Sequence, residues 1–206
     1  MIDLYTWTTP NGRKISIALE EMGLPYETHP IDISNDEQFK PEFLAVSPNN
    51  KIPAIVDRDN QVSVFESGAI LIYLAEKSGK FLPKDAGPRA KVLEWLNWQT
   101  AGFGPMLGQL NHFVNRAEEK LPLAIQRFSE ESIRLYSVLD KQLAENDFVA
   151  GDYSIADMAI YPWSVVAISA INALSDKPLS NVEAWHARVA ARSAVQSGMN
   201  IPPSAS

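Results

Sequence analysis

The sequence predicts an α+β chain in two parts: a mixed four-stranded sheet with helices over residues 1–79, and an all-helical bundle over 89–206. Three observations predict it. Short apolar runs of strand length alternate with helical patterns up to Glu76, in the order strand, helix, strand, helix, strand, strand, helix. Pro and Gly then cluster in Gly79–Pro88 (GKFLPKDAGP) and periodicity stops, so 80–88 reads as a linker. Beyond it, every apolar pattern repeats at a spacing of three and four.

The first strand is Ile2 to Tyr5. Thr6 to Asn11 is a polar loop, and a helix runs from Gly12 to Glu21 with Ile15, Ala18, Leu19 and Met22 on one face. Gly23 and Pro25 stop it. A second strand fits Tyr26 to Ile31, which makes the pair a right-handed βαβ crossover. Asn35 to Leu44 is polar with a short helix around Phe39, Phe43 and Leu44. Ala54–Asp57 and Val62–Phe65 form a hairpin around Arg58–Gln61. From Ser67, the apolar residues Ala69, Ile70, Tyr73 and Leu74 fall at helical spacing. This order, β-α-β-α-β-β-α, is that of the thioredoxin fold.

In the second part, Arg89 to Asn115 carries Val92, Leu93, Trp95, Leu96 and Trp98, with interruptions at Gly102, Gly104-Pro105 and Gly108. Leu123 to Glu145 is amphipathic through Ile125, Phe128, Leu135, Val138, Leu139 and Leu143, and Pro122 suits its start. Ser154-Ile-Ala-Asp157 matches a capping box before the most apolar helix. A last helix fits Asn181 to Arg192, and the tail from Met199 to Ser206 reads as loose.

Composition narrows the function. A net charge of −7 without a basic run disfavours nucleic acid and anionic membrane as partners. Ile155–Leu174 is broken by Asp157 and Pro162 and reads as too polar for a membrane span. No signal-peptide pattern opens the sequence, so a cytoplasmic location is expected. The 206 residues contain no cysteine, which excludes an intrachain disulfide, a Cys-x-x-Cys pair and a thiolate metal site. With three scattered histidines, no metal is expected; any thiol chemistry must use sulfur brought by a ligand.

Two features around the hairpin could bind such a ligand. Ile52-Pro53 is a candidate cis turn that would leave the Ile52 backbone free to pair with an extended ligand; the alternative is an ordinary trans Pro. Glu66-Ser67 opens a helix whose N-terminus suits a carboxylate, with Ser67 as an extra donor; the alternative is simple N-capping by Ser67. Thr9-Pro-Asn-Gly is a good turn tetrapeptide in any protein, yet Asn11-Gly12 would also lie where a helix dipole favours a thiolate.

Together, Thr9-Pro10-Asn11-Gly12, the run SPNNKIPAI from Ser47 and the run FESGAI from Phe65 resemble the cytosolic glutathione transferases. They are most similar to the nu class, whose bacterial members include glutathione-dependent disulfide-bond oxidoreductases. The resemblance extends through Trp95–His112 and Tyr153–Asp157. It implies a homodimer of the glutathione transferase fold, with glutathione or glutathione disulfide as ligand and a small disulfide or electrophile as second substrate. It implies that Thr9 and Asn11 approach the glutathione sulfur, with Thr8 as a possible substitute for Thr9. Glu66 and Ser67 would hold the γ-glutamyl end, and the backbone at Ile52-Pro53 the cysteinyl unit. Gln38 and Lys51 would lie near the carboxylates, and Arg127 (or Arg134) would reach a glutathione in the partner subunit. Phe103, Met106, His112 and Phe113 would line an apolar pocket for the second substrate, against the alternative that they are core. The implied activity is disulfide reduction, with weaker peroxidase and conjugating reactions. Its rivals are a conventional conjugating transferase and a non-catalytic glutathione-binding module.

Overall fold

A computed structural model describes residues 1–175 and 177–202. By its internal contacts the chain divides into two compact units, Met1–Pro83 joined by the segment from Ala190 onward, and Lys84–Val189.

The first unit is built on a four-stranded sheet of order β2-β1-β3-β4, from β1 (Ile2–Thr6), β2 (Tyr26–Pro30), β3 (Ala54–Asp57) and β4 (Val62–Phe65). β1 runs parallel to β2, with Ile2 opposite Tyr26, and antiparallel to β3, with Ile2 opposite Asp57. The two short apolar runs around the polar turn pair as the expected hairpin, Ala54 against Phe65 and Asp57 against Val62. Helix α1 (Pro10–Met22) follows β1, with Pro10 in its first turn and Gly23 closing it in a left-handed conformation at φ 68°. Between β2 and β3 the chain makes two 3₁₀ turns, Ile33–Asn35 and Glu37–Phe39, and one turn of helix, α2 (Pro41–Leu44). Helix α3 (Ser67–Ser78) buries Ile70, Leu71, Leu74 and Ala75.

One element was not anticipated. Helix α9 (Ser193–Gly198) belongs by its contacts to the first unit and packs along α1. Gly198 lies so close to Ile17 that a Cβ there would stand 2.6 Å from the Ile17 backbone nitrogen and Cα. The Ser16 hydroxyl donates to the Gly198 carbonyl at 2.6 Å, and Arg192 pairs with Glu21 through two contacts of 2.5 and 2.8 Å. Met199 to Pro202 follow this helix; the rest of the tail, expected to be loose, lies outside the described residues.

The second unit is helical: α4 (Ala86–Trp98), α5 (Gly104–Asn111), α6 (Pro122–Leu143), α7 (Ile155–Leu174) and α8 (Ser180–Ala190). The glycines expected to interrupt the first of these do so without breaking it. Two wide π turns, Gln99–Phe103 and His112–Arg116, join α4 to α5 and extend α5. The first precedes Pro105, whose missing N–H cannot continue an α-helical ladder. The predicted capping box opens α7, and α8 is capped from α6, where Asp140 accepts from the backbone N–H groups of Asn181 and Val182 at 3.0 and 3.1 Å. By length and hydropathy α7 is in fact apolar enough to cross a membrane, with a mean hydropathy of 1.3 over 18 residues, contrary to the expectation. Of that window 56% is nevertheless buried inside the protein, which is the behaviour of a core helix.

Candidate functional site

The site in the first unit is assembled from three chain segments that each end at the same pocket. It has a volume of about 150 Å³ and is lined by Asn11, Lys51, Ile52, Pro53, Phe65, Glu66 and Ser67. A larger polar concavity, about 320 Å³, lies in the helical unit beside Glu145, Asp147 and Arg188. That concavity gathers acids and a base already in contact, Arg188 donating to the Asp147 carbonyl at 3.1 Å, and nothing there converges on a ligand. The smaller pocket gathers two helix N-termini.

The first is that of α1. Thr9 is the N-cap, its hydroxyl oxygen accepting from the Gly12 N–H at 3.2 Å while its carbonyl accepts from Arg13 N–H at 3.0 Å. Thr9 therefore does the turn work that its type predicts, and its hydroxyl proton remains a donor for a ligand. Gly12 is required here, since a Cβ would stand 2.4 Å from both the Thr6 hydroxyl and the Trp7 carbonyl. Asn11, in the first turn, lines the pocket where the helix dipole is positive. Thr8 is exposed and does not line it.

The second is that of α3. Capping by Ser67 does not occur: Ser67 is the first helical residue, Glu66 is the N-cap, and no side-chain bond closes the cap. Glu66 holds φ 70° and ψ 115°, a conformation that costs a non-glycine residue roughly 1–3 kcal/mol and concentrates at ligand sites. Asn49 donates to the Glu66 carboxylate at 3.4 Å. The Ser67 hydroxyl lies 3.2 Å from the ammonium of Lys14, which is only 2% exposed. Burial pulls the Lys14 pKa down to about 7, and the Glu66 charge opposes that shift.

The third segment is the turn before β3. Ile52-Pro53 is cis, and the buried Ser47 hydroxyl donates to the Lys51 carbonyl at 2.8 Å, which fixes the approach to the turn.

Of the residues proposed from the sequence, the structure brings Asn11, Lys51, Ile52, Pro53, Glu66 and Ser67 to one pocket, with Thr9 two residues from Asn11. Gln38 sits on the second 3₁₀ turn outside the lining, its Oε1 buried with no partner among the described residues. Arg127 is exposed on α6 in the other unit, whereas Arg134 is engaged by Glu131 through two bonds of 2.7 and 2.8 Å. Phe103 is fully buried between Trp98 and Tyr136, with ring centroids 4.9 and 5.1 Å away, so it belongs to the core of its unit rather than to a pocket wall. Met106 is half-buried, His112 exposed, and Phe113 stacks on Phe128 at 5.4 Å.

Sequence reasoning missed Phe65 and Lys14. Phe65 ends β4 directly before Glu66, and strand alternation did not tell which face it takes. Lys14 had a signal: it falls three residues after Asn11 and four before Ala18, on a face that is otherwise inward. Among the described residues, Asp3, Glu27 and His29 place ligand atoms within 4.8 Å of one another. Arg58 already occupies this group, pairing with Asp3 and with Glu27, so both carboxylates are taken up by its guanidinium.

Comparison with known proteins places this geometry. Residues 8–77 match the family model "Glutathione S-transferase, N-terminal domain". The chain is 47% identical over 205 residues to the disulfide-bond oxidoreductase YfcG of Escherichia coli, covering 94% of this chain and 92% of that one. A glutathione transferase family member from Pseudomonas fluorescens, solved with two glutathione bound, superposes with a TM-score of 0.92 at 43% identity, covering 98% of this chain and 93% of that one. A glutathione transferase from Pseudomonas putida, with one glutathione disulfide bound per subunit, gives 0.91 at 44% identity, covering 98% and 91%.

Proposed function

Since the chain belongs to the glutathione S-transferase family, we propose that it binds and ionises glutathione in the pocket of the first unit and uses it to reduce disulfides. One observation carries the reading: the N-termini of α1 and α3 open into one pocket, in a chain without cysteine. Glutathione is a tripeptide with an acidic thiol at its centre and a free α-carboxylate at its γ-glutamyl end. The α3 end, with Ser67 and Glu66, takes the γ-glutamyl carboxylate and ammonium; the Ile52 backbone takes the cysteinyl unit; the α1 end, with Thr9 and Asn11, takes the sulfur. Gln38 and Lys51 serve the remaining carboxylate.

A free thiol has a pKa near ~8.5, so a helix N-terminus and two donors that lower it by one or two units leave it mostly ionised at neutral pH. The bound thiolate attacks one sulfur of a disulfide RSSR, forming the mixed disulfide and releasing RS⁻, which takes up a proton. A second glutathione thiolate then attacks the glutathione sulfur of the mixed disulfide and releases the second RSH. Two glutathiones are oxidised to one glutathione disulfide, and two thiols are produced. Because this chain has no thiol of its own, both exchanges occur between ligand sulfurs, and the protein contributes orientation and charge. Conjugation to electrophiles and reduction of organic hydroperoxides are weaker reactions of the same thiolate. We further assign a cytoplasmic homodimer in which Arg127 reaches the glutathione of the partner subunit; β4 is a sheet edge, with Val62 and Phe65 exposed on it.

The test is the steady-state reduction of 2-hydroxyethyl disulfide by glutathione, coupled to glutathione reductase and NADPH, beside conjugation of chlorodinitrobenzene. Strong disulfide turnover with feeble conjugation is expected. Asn11→Ala and Thr9→Val are each expected to lower kcat/KM for the disulfide about tenfold, the worth of one charge-assisted hydrogen bond of about 1.5 kcal/mol. Thr9→Ser, which keeps both the cap and the donor, should retain most of the activity. Full activity in the double variant Thr9→Ala with Asn11→Ala would sink the assignment.

A further inference from the structure

We propose that Lys14 sets the polarity of the γ-glutamyl subsite: its buried ammonium holds the Ser67 hydroxyl oxygen from behind, so that Ser67 presents its proton to the ligand's carboxylate. The inference rests on the glutathione reading above and assigns a positioning residue that touches no ligand itself.

The argument is one of hydrogen-bond valence. An ammonium has three donors and no acceptor, so a charged Lys14 can only donate across its 3.2 Å contact with Ser67 Oγ. The oxygen then accepts, and the single hydroxyl proton of Ser67 turns outward into the pocket that Ser67 lines. A neutral Lys14 amine can accept instead. The Ser67 proton is then free to turn inward, and lone pairs face the ligand, which a carboxylate avoids. One proton on a buried side chain thus decides whether this pocket offers an anion a donor or a rejecting oxygen.

Burial weakens the hold on that proton, and the Glu66 charge opposes this. Helices α3 and α9 pack on α1, the helix that carries Lys14. Helix α9 (SAVQSG) has no ionisable side chain, and Arg192 at its N-cap is engaged by Glu21. On α3, Glu66 supplies a negative charge, Tyr73 and Lys77 are held by Asp57, and Glu76 is exposed toward the far end. On α1 itself, Arg13 is the adjacent residue, and Glu20 is bonded by Tyr26 and lies almost two turns on. Burial brings Lys14 down to a pKa of about 7 even with the Glu66 charge opposing it. The ligand's ammonium goes to Glu66, but its carboxylate arrives at Ser67, the side chain that Lys14 itself contacts at 3.2 Å, and this nearer negative charge favours the charged form. Binding therefore draws in a proton when the pH lies above the pKa of the empty site.

The experiment uses S-methylglutathione, whose sulfur cannot ionise, titrated into the whole protein by calorimetry in two buffers of different ionisation enthalpy. At pH 7.5 net proton uptake is expected in excess of that shown by Lys14→Met, and affinity should fall about eightfold more between pH 6.5 and pH 8.0 than in that variant, which subtracts the titration of the ligand's own amine. Lys14→Met, which keeps the length and loses the charge, should bind about tenfold more weakly at pH 6.5 and keep only the proton uptake and slope of the ligand's own amine. Absence of proton uptake in the wild-type protein, which needs no variant to fold, would overturn the proposal, as would Lys14→Met with wild-type affinity and pH profile. If S-methylglutathione fails to bind the wild-type protein at all, the glutathione reading itself falls, and this inference with it.

Discussion

Asp157→Ala is expected to destabilise the helical unit by about 4 kcal/mol at pH 7, measured by urea denaturation followed by far-UV circular dichroism. Asp157 is fully buried, and its two oxygens collect most of the donors around it. Oδ1 accepts from Val149 N–H at 3.1 Å and from the Trp185 indole at 3.0 Å; Oδ2 accepts from Ser154 N–H at 3.0 Å. The Ser154 hydroxyl is 3.3 Å away. Alanine leaves three buried N–H groups without partners, each worth about 1–3 kcal/mol. The loop before α7, the cap of α7 and a tryptophan of α8 are held by this one side chain. Asp157→Asn should cost less, about 2 kcal/mol, because its carbonyl keeps one pair of donors while its amide group meets the Ser154 N–H.

The same residue predicts a pH dependence. Burial raises the Asp157 pKa from 3.8 to about 6, although every donor around it acts in the opposite sense. A protonated carboxyl can still accept on both oxygens and donate to the Ser154 hydroxyl, so protonation satisfies the network and removes the buried charge. A group whose folded pKa is raised contributes stability that is full below its unfolded value and is lost as pH rises through the folded one. The wild-type unit should therefore gain stability between pH 7 and pH 4 from this group, and Asp157→Asn should lack that component of the slope. Equal slopes in the two proteins would contradict the assignment.

What could be read in advance follows from how local each signal is. The hairpin Ala54–Phe65, the capping box and the Gly23 stop are written within a few residues, by two apolar runs around a polar turn, by a hydroxyl–carboxylate pair and by a glycine. The Ile52-Pro53 turn and the Glu66-Ser67 corner are each legible locally, as an X-Pro step before a strand and as an acid–hydroxyl pair opening a helix, and the family resemblance joins them into one site. Lys14 escaped because a lysine on an inward face is read as surface until its partner 53 residues away is known. Phe103 was misplaced because an aromatic at helical spacing looks the same in a core as in a pocket, and only its stacking between Trp98 and Tyr136 separates the two. Helix α9 has six residues and, apart from alanine, one apolar side chain, Val195. Nothing local marks it; its packing against α1 makes it a helix of the first unit.

That packing gives the other large effect. Gly198→Ala is expected to destabilise the first unit by about 3 kcal/mol. The helical backbone of Gly198 suits alanine conformationally, so propensity alone would make the change favourable. Space decides otherwise: the new Cβ would lie 2.6 Å from Ile17 Cα and N and 2.9 Å from Ile17 Cγ1. Two of those three atoms are backbone of α1, which α3 also packs against, so no side-chain rotation relieves the contact. Overpacking of this kind costs about 1–3 kcal/mol, and separation of the helices also breaks the Ser16–Gly198 bond, worth about 1 kcal/mol. The control is Ser16→Ala, which removes the bond without the clash and should cost only that last amount. The effect should reach the ligand, because Asn11 and Lys14 ride on the same helix, six and three residues before Ile17. Glutathione affinity in Gly198→Ala is therefore expected to fall severalfold even where the protein remains folded, whereas Ser16→Ala should bind normally. Unchanged stability in Gly198→Ala would mean that α9 does not press on α1; lowered stability with unchanged affinity would mean that it does, but that the pocket is held by α3 alone.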